Sequence, residues 1–274
     1  MYAAAKGTAF DQAERRTWAG RAAPYASSFA RICAYTAPFV LDAAGVNAGT
    51  SVLDVGTGTG VVAAIAVTRG ADVAAVDAEY DMIRLATHVA SEARLCVGAL
   101  PDLPFADDVF TAVVGNFVIN HVGQPHNALA EMRRVTAPGG RVAVTIWSGS
   151  PAPGQLLLGQ AMQAAGVVRP AHLPTLAAEY DFPRTEAGLA SLLEDVGFTE
   201  VACSTLHWEH RTDRQEWWSG PASGLATIGQ ILISQSAETI AEVRRHYVRL
   251  SERFATPDGR MALPHVALLA HGRA

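Results

Sequence analysis

Asp54 stands two residues ahead of three alternating glycines, in Asp54-Val55-Gly56-Thr57-Gly58-Thr59-Gly60, and this is the part of the 274-residue chain best equipped for chemistry. A strand that turns through glycines into a helix lets bare backbone N–H groups approach a polar ligand closely. Two kinds of ligand use such a loop. A dinucleotide loop of G-x-G-x-x-G spacing would take Gly56 and Gly58, but its third glycine falls on Val61. Pyrophosphate also gains little from an acid just before the turn, whereas a ligand with positive charge and no phosphate gains from Asp54. A second acid, Asp77, ends the apolar run 71–76. An acid at the tip of the second strand, about 20 residues past the glycines, is placed to bond both hydroxyls of a ribose. Both kinds of ligand have a ribose, so Asp77 does not separate them. The plainer alternative is a cap on the helix that starts near Glu79.

Such residues need a strand–turn–helix frame. Predicted strands at 51–55, 71–76, 94–97, 109–115 and 141–147 alternate with predicted helices at 60–69, 79–90 and 127–135. Short apolar strands alternating with helices imply a parallel sheet covered on both faces, an α/β fold. Residues 1–48 read as helical, broken at Pro38, and Pro138-Gly139-Gly140 reads as a turn. Beyond a Ser/Gly/Pro-rich pause at 148–154 come helices at 155–166 and 185–196, the second closed by Gly197. An alternating strand at 198–210, a mostly helical stretch at 213–254 and an apolar strand at 261–270 complete the chain.

Composition narrows the partners. A net charge of -5 argues against a protein built to hold nucleic acid, because phosphate binding wants a basic footprint; a small molecule remains. Cys33, Cys96 and Cys203 are scattered, which speaks against disulfides or zinc and for a reducing cytoplasm. Residues 1–10 show no secretory pattern, and the apolar run 61–67 is too short to span a bilayer. Lys6 is the only lysine while arginine and alanine abound, which reflects GC-rich coding rather than function. His207, Trp208, His210, Trp217 and Trp218 fall close together, either to line a pocket or to fill the core of a helical cap. They lack ligand spacing, so no metal is expected.

Three ordered motifs carry a resemblance. Asp54–Gly60 resembles the D-V-G-x-G-T-G loop of class I S-adenosylmethionine (SAM)-dependent methyltransferases. Leu103-Pro104-Phe105, followed by Asp107-Asp108-Val109-Phe110, resembles the L-P-F-x-D-x-x-F segment of the ubiquinone/menaquinone-biosynthesis type. The stretch Ala128 to Val135, then Ala137-Pro138-Gly139-Gly140, resembles the helix and P-G-G turn before the fifth strand. The resemblance implies a Rossmann-like seven-stranded sheet in the order 3-2-1-4-5-7-6 with its last strand antiparallel, and 261–270 is taken as that reversed edge. It implies SAM as cofactor, with Asp54, Gly56, Thr57 and Gly58 around the methionine moiety and Asp77 on the ribose. Ala78 and Met82 would flank the adenine, Ala99 and Leu100 would sit at its edge, and Asn116 would lie beneath the cofactor. Many relatives have an aspartate where this chain has Ala99, so adenine recognition must fall to backbone groups or to Asp102.

Methyl transfer from a sulfonium is an in-line displacement in which positioning contributes much of the catalysis, and an oxygen or nitrogen acceptor also needs a base. His121, in Ile119-Asn120-His121-Val122, is the candidate catalytic base, since a histidine at this place serves so in some relatives; the alternative is packing at the sheet edge. Trp18 and Tyr25 lie in helices that commonly cover SAM, where an aromatic face attracts a sulfonium or simply packs. His126 is expected to be exposed. The expected layout is a single domain: a helical lid at 1–48, a SAM-binding core at 49–150, a helical insertion and acceptor cap at 151–255 around strand 198–210, and a closing strand at 261–271. The expected activity is methyl transfer to an oxygen, nitrogen or activated carbon of a small apolar metabolite of specialised metabolism. Two alternatives stand beside it: a SAM-fold protein that binds the cofactor without methylating, as a cyclase or regulator, and an NAD(P)-dependent oxidoreductase.

Overall fold

The computed structural model describes residues 7–274; Lys6 and most of the segment read above for a secretory pattern lie outside the described residues. The chain opens with α1 (Ala9–Trp18), α2 (Ala22–Ala26), α3 (Phe29–Cys33) and α4 (Ala37–Ala43), with Pro38 in the first turn of α4. There follow β1 (Ser51–Val55), α5 (Val61–Thr68), β2 (Asp72–Asp77), α6 (Tyr80–Val89), β3 (Arg94–Val97), β4 (Phe110–Asn116), α7 (Pro125–Arg134) and β5 (Thr136–Trp147). Then come α8 (Pro153–Ala164), α9 (Glu186–Asp195), β6 (Thr199–Thr212), α10 (Arg214–Ala222), α11 (Ala226–Ile233), α12 (Ala237–Ser251) and β7 (Met261–Arg273).

The strands form one seven-stranded sheet in the order β3-β2-β1-β4-β5-β7-β6. Neighbours from β3 to β5 are parallel, and β7 runs antiparallel to both β5 and β6. Consecutive strand residues point to opposite faces, and the core follows that rule. Leu53 and Val113 join one apolar cluster with Leu129, Met132 and Leu189, while Val52 and Val114 join another with Leu41, Val62 and Ala63. Both faces are therefore covered, as strands apolar on both sides require. A third cluster lies on β6 and β7 and packs Trp208, Leu263, Leu157, Trp218 and Tyr247.

Two expectations are corrected. The segment 261–270 is reversed but is not an edge: β7 is inserted between β5 and β6, and β6 is the edge. The cause is legible in burial, because Val266 to Ala270 are buried without a break while much of β6 is exposed. A strand bonded on both sides and covered on both faces reads as a continuous apolar run, and an edge strand as an alternation. Pro138-Gly139-Gly140 is not a turn ahead of β5 but an irregularity within it, marked by a register shift between Phe110 and Ala112. Gly139 there has φ 76°, and the chain end holds it through a bond from the Gly139 N–H to the Ala274 carbonyl.

The first turn of α8 lies directly on β7. Gln155 Oε1 accepts from the Val266 N–H at 2.9 Å, and its amide nitrogen donates to the Val266 carbonyl at 3.2 Å. A Cβ at Gly154 would stand 2.5 Å from the Pro264 carbonyl oxygen, whereas one at Gly159 would meet nothing within 4 Å. Gly154→Ala is expected to cost about 1–3 kcal/mol through overpacking against backbone. Gly159→Ala, inside the same helix, is expected to add about 0.5–1 kcal/mol by restricting the unfolded chain. Urea unfolding of both variants checks the contrast, and equal shifts would refute the close approach.

Candidate functional site

A cavity of about 430 Å³ opens along the carboxyl edge of the parallel strands, the place where open α/β sheets bind ligands. Gly56 and Gly58 after β1, Asp77 and Ala78 after β2, and Met82 on α6 wall one side. Ala99 and Leu100 after β3 and Asn116 at the end of β4 continue that wall. Phe29, Ile32, Phe117, Trp147, Leu158 and Trp217 line the other side, with His265 among them.

The glycine loop is tied to β2. Gly56 has φ 69°, and a Cβ there would fall 2.5 Å from Val118 Cγ2. The N–H groups of Gly56 and Thr57 both donate to the Val76 carbonyl, at 2.8 and 3.0 Å. The Gly58 N–H donates to Asp77 Oδ2 at 2.8 Å, and the Glu79 N–H to Asp77 Oδ1 at 2.9 Å. Asp77 therefore fastens the glycine loop and holds the segment that leads into α6; it is not the cap of that helix, whose N-cap is Glu79 with no side-chain cap. Burial raises its carboxyl above the usual carboxylate range, against the pull of those two N–H donors.

Asp54 and Thr57 stand behind the loop rather than on the cavity wall. Asp54 Oδ2 accepts from Thr57 Oγ1 at 2.6 Å and from the Ala63 N–H at 3.1 Å, while Oδ1 is buried without a partner. Burial pushes the Asp54 carboxyl up to about 7, outweighing its two donors, with the Asp77 charge adding to the rise. A carboxyl raised in this way holds its proton more tightly in the folded chain than in the unfolded one. Its contribution to stability is complete below the ordinary value of 3.8 and is lost as pH rises through about 7. Urea unfolding of the unliganded protein from pH 5 to 8 should therefore decline more steeply for wild type than for Asp54→Asn; identical slopes would remove Asp54 from the account.

These bonds separate the two ligand kinds. The Gly58 and Ala63 N–H groups, which a pyrophosphate would seek, are already given to carboxylates. Neither Asp54 nor Asp77 forms an ion pair with an arginine among the described residues. Two acids in a desolvated loop repel phosphate and suit a cationic nucleoside.

The remaining predicted residues are placed as follows. Met82 is buried on the wall beside Ala78. Ala99 is on the wall, but Asp102 is exposed and off it, and its N–H donates to the Ala99 carbonyl at 3.0 Å. Asn116 is on the wall with its side chain fully engaged. Its Oδ1 accepts from Thr36 Oγ1 and Thr145 Oγ1, both at 2.6 Å, and its Nδ2 donates to the Cys33 carbonyl at 2.9 Å. It presents surface, not a free polar group. Tyr25 lies beside Gly58, and burial drives its hydroxyl well above the ordinary value, so it keeps its proton.

His121 ends a single 3-10 turn, Val118–His121, entered through Phe117 at φ 64°. A bulky residue in that left-handed conformation is strained by about 1 kcal/mol or more, and here the ring is held stacked on Trp147 at 4.1 Å. His121 faces the cavity, and its Nδ1 lies 2.8 Å from Glu14 Oε2. Glu14 is buried and also accepts from Trp18 Nε1 at 3.1 Å. The Trp18 ring meets His121 edge-on at 5.1 Å and Tyr25 edge-on at 5.4 Å. Asp11 Oδ1 accepts from the Gly123 N–H at 2.6 Å, so α1 is fastened to the segment after β4 at two points. Glu14 went unnoticed in the sequence; its only signal was that Glu14 and Trp18 are four apart and share a helix face.

Of the aromatic group in 207–218, Trp217 lines the cavity, Trp208 and Trp218 are buried in the third cluster, and His207 is exposed on the edge strand. His126 is exposed, 3.6 Å from Asp195. His265 was also missed. Its signal was a lone histidine in an otherwise apolar strand, which is more often inert filling.

Comparison with known proteins adds the family. Residues 53–144 match the model described as a methyltransferase domain. A demethylmenaquinone methyltransferase of Renibacterium salmoninarum is 39% identical over 109 residues, spanning 40% of this chain and 46% of that protein. One of Beutenbergia cavernae is 32% identical over 174 residues, spanning 61% of this chain and 72% of that protein. The match thus takes in less than half the length of the first of these relatives and nearly three quarters of the second. Among solved structures, the YcgJ protein of Bacillus subtilis superposes with a TM-score of 0.54 at 18% identity, covering 87% of this chain and 97% of that one, a likeness of fold. With the sheet order, the loop chemistry and these matches together, the chain belongs to the class I SAM-dependent methyltransferases, in the quinone-biosynthesis-like group.

Proposed function

We propose that the protein transfers a methyl group from SAM to an oxygen, nitrogen or activated carbon of a small, flat, apolar acceptor. The observation that carries this reading is a single cavity with a carboxylate-tied glycine loop at one end and an aromatic lining at the other. The residues fit the cofactor. Gly56 and Gly58 leave room for its methionine moiety, Asp77 retains lone pairs for its ribose hydroxyls, and Ala78, Met82, Ala99 and Leu100 enclose its adenine. Asp54 and Thr57 act from behind by fixing the loop. Bound there, SAM supplies a methyl group already activated by its sulfonium.

His121 takes the acceptor proton where one must leave. A carboxylate on Nδ1 holds the proton there in the neutral ring and frees Nε2 to act as a base, and it stabilises the imidazolium that forms. Glu14 is thus a positioning residue. Helices α1 to α4 cover the cofactor, and residues 151–255 cap the acceptor. The names of the curated relatives favour a quinol-like acceptor over other small molecules. Transfer of labelled methyl from SAM to a panel of quinols, phenols and amines tests the reading. Tight SAM binding without transfer to any of them would favour a non-methylating role instead, and binding of NAD in preference to SAM would overturn both.

A further inference from the structure

The aromatic end of the cavity contains a buried donor, on Trp217, and a histidine acceptor, on His265, that find no partner among the described residues. The Trp217 indole N–H is buried and has no hydrogen-bond partner among the described residues, although Trp217 is on the cavity wall and only 6% exposed. His265, 2% exposed, faces the same cavity. Its Nδ1 lies 2.7 Å from the Leu263 carbonyl oxygen, which can only accept, so Nδ1 carries the ring proton. Burial pushes this imidazole down to about 4, so the ring is neutral and Nε2 is an acceptor. The two rings stand edge to face, 5.5 Å apart between centroids.

Their setting is built rather than incidental. Trp208, directly opposite His265 on β6, stacks on it at 5.6 Å, and Trp147 lies on another side at 6.2 Å. Gln155 grips the backbone of the next residue, Val266, on both its N–H and its carbonyl. The imidazole is therefore held by strand pairing, aromatic packing and the start of α8 together. An unmatched donor and an unmatched acceptor in an apolar wall cost free energy unless a ligand joins them.

We infer that Trp217 and His265 form a recognition point for a hydroxyl on a flat aromatic ligand, the indole N–H donating to its oxygen and His265 Nε2 accepting its proton. A hydroxyl is the group that offers both an acceptor and a donor at one atom. The point is remote from the cofactor loop. In the sheet order β7 lies three places from β1 and two from β4, about 14 and 10 Å at the usual strand spacing. It selects the ligand by its far end and does not touch the transferred methyl. This deepens the function proposed above, and it rests on that reading only for calling the ligand the methyl acceptor.

Binding without cofactor isolates the inference. The full chain is titrated calorimetrically with 2-naphthol, 2-methoxynaphthalene, which accepts but cannot donate, and 2-methylnaphthalene, which does neither. Wild type should bind 2-naphthol about tenfold tighter than the methyl compound, with the methoxy compound between them. Trp217→Phe should erase the advantage of methoxy over methyl, and His265→Phe that of hydroxyl over methoxy. Wild-type affinities within twofold of one another would overturn the inference. So would an advantage of methoxy over methyl that survives Trp217→Phe, which decides the matter even if His265→Phe fails to fold. Failure of methyl transfer would leave these affinities unchanged, so the two readings fail separately.

Discussion

Asp77→Asn is expected to weaken SAM binding by about 100-fold, the largest single effect at the cofactor end. The carboxylate accepts from two backbone N–H groups, Gly58 on one oxygen and Glu79 on the other. An asparagine offers one oxygen, so its amide group must face one of those N–H groups, donor against donor. Either the glycine loop then loses its tie to β2, or the segment leading into α6 loses the bond at Glu79. In the proposed complex the ribose loses a charged partner as well. Calorimetric titration of SAM measures the change, and an affinity within threefold of wild type would remove Asp77 from the cofactor site. Because burial already disfavours the Asp77 charge in the unliganded chain, the stability of the variant should change far less than its affinity.

His121→Phe should lower kcat about 100-fold while leaving SAM affinity within threefold. Phenylalanine keeps the edge-on contact with Trp18 and removes both ring nitrogens. Glu14→Gln should cut kcat less, about tenfold, by weakening the hold on Nδ1. Rapid-quench measurement of methyl transfer across pH 5 to 9 reads both. An unaltered kcat in His121→Phe would mean that positioning alone suffices. A kcat in Glu14→Gln lowered as much as in His121→Phe, together with a loss of folding stability, would assign Glu14 to holding α1 in place.

Much of the fold was legible because it is local. Val52 and Leu53, or Val113 and Val114, betray a strand covered on both faces by being apolar in succession. The glycine loop announces itself because no other residue type allows a strand to turn so tightly against Val118. What the sequence hid is what depends on distant pairing. Glu14 and His121 are 107 positions apart, and nothing at either place signals the other. The N–H groups of Gly58 and Ala63 that Asp77 and Asp54 accept from are backbone groups, invisible as residue types, yet they bear on the choice between cation and phosphate. The insertion of β7 between β5 and β6 was mistaken for an edge although its unbroken apolar run already pointed inward. His265 gives no signal of this role in the sequence, because its proton goes to a carbonyl two residues away and its other nitrogen has meaning only beside Trp217, which another element supplies.

The two ends of the cavity come from different stretches of the chain. The segment 53–144, which the methyltransferase-domain model matches, contains the glycine loop, Asp77, Met82, Ala99 and His121. At the aromatic end Phe117 falls inside it, while Phe29, Ile32, Trp147, Leu158, Trp217 and His265 fall outside. Mutation can therefore remodel the chamber for the second molecule without passing through any residue that holds the first. Such a chain can exchange one acceptor for another in small steps while its donor chemistry stays constant.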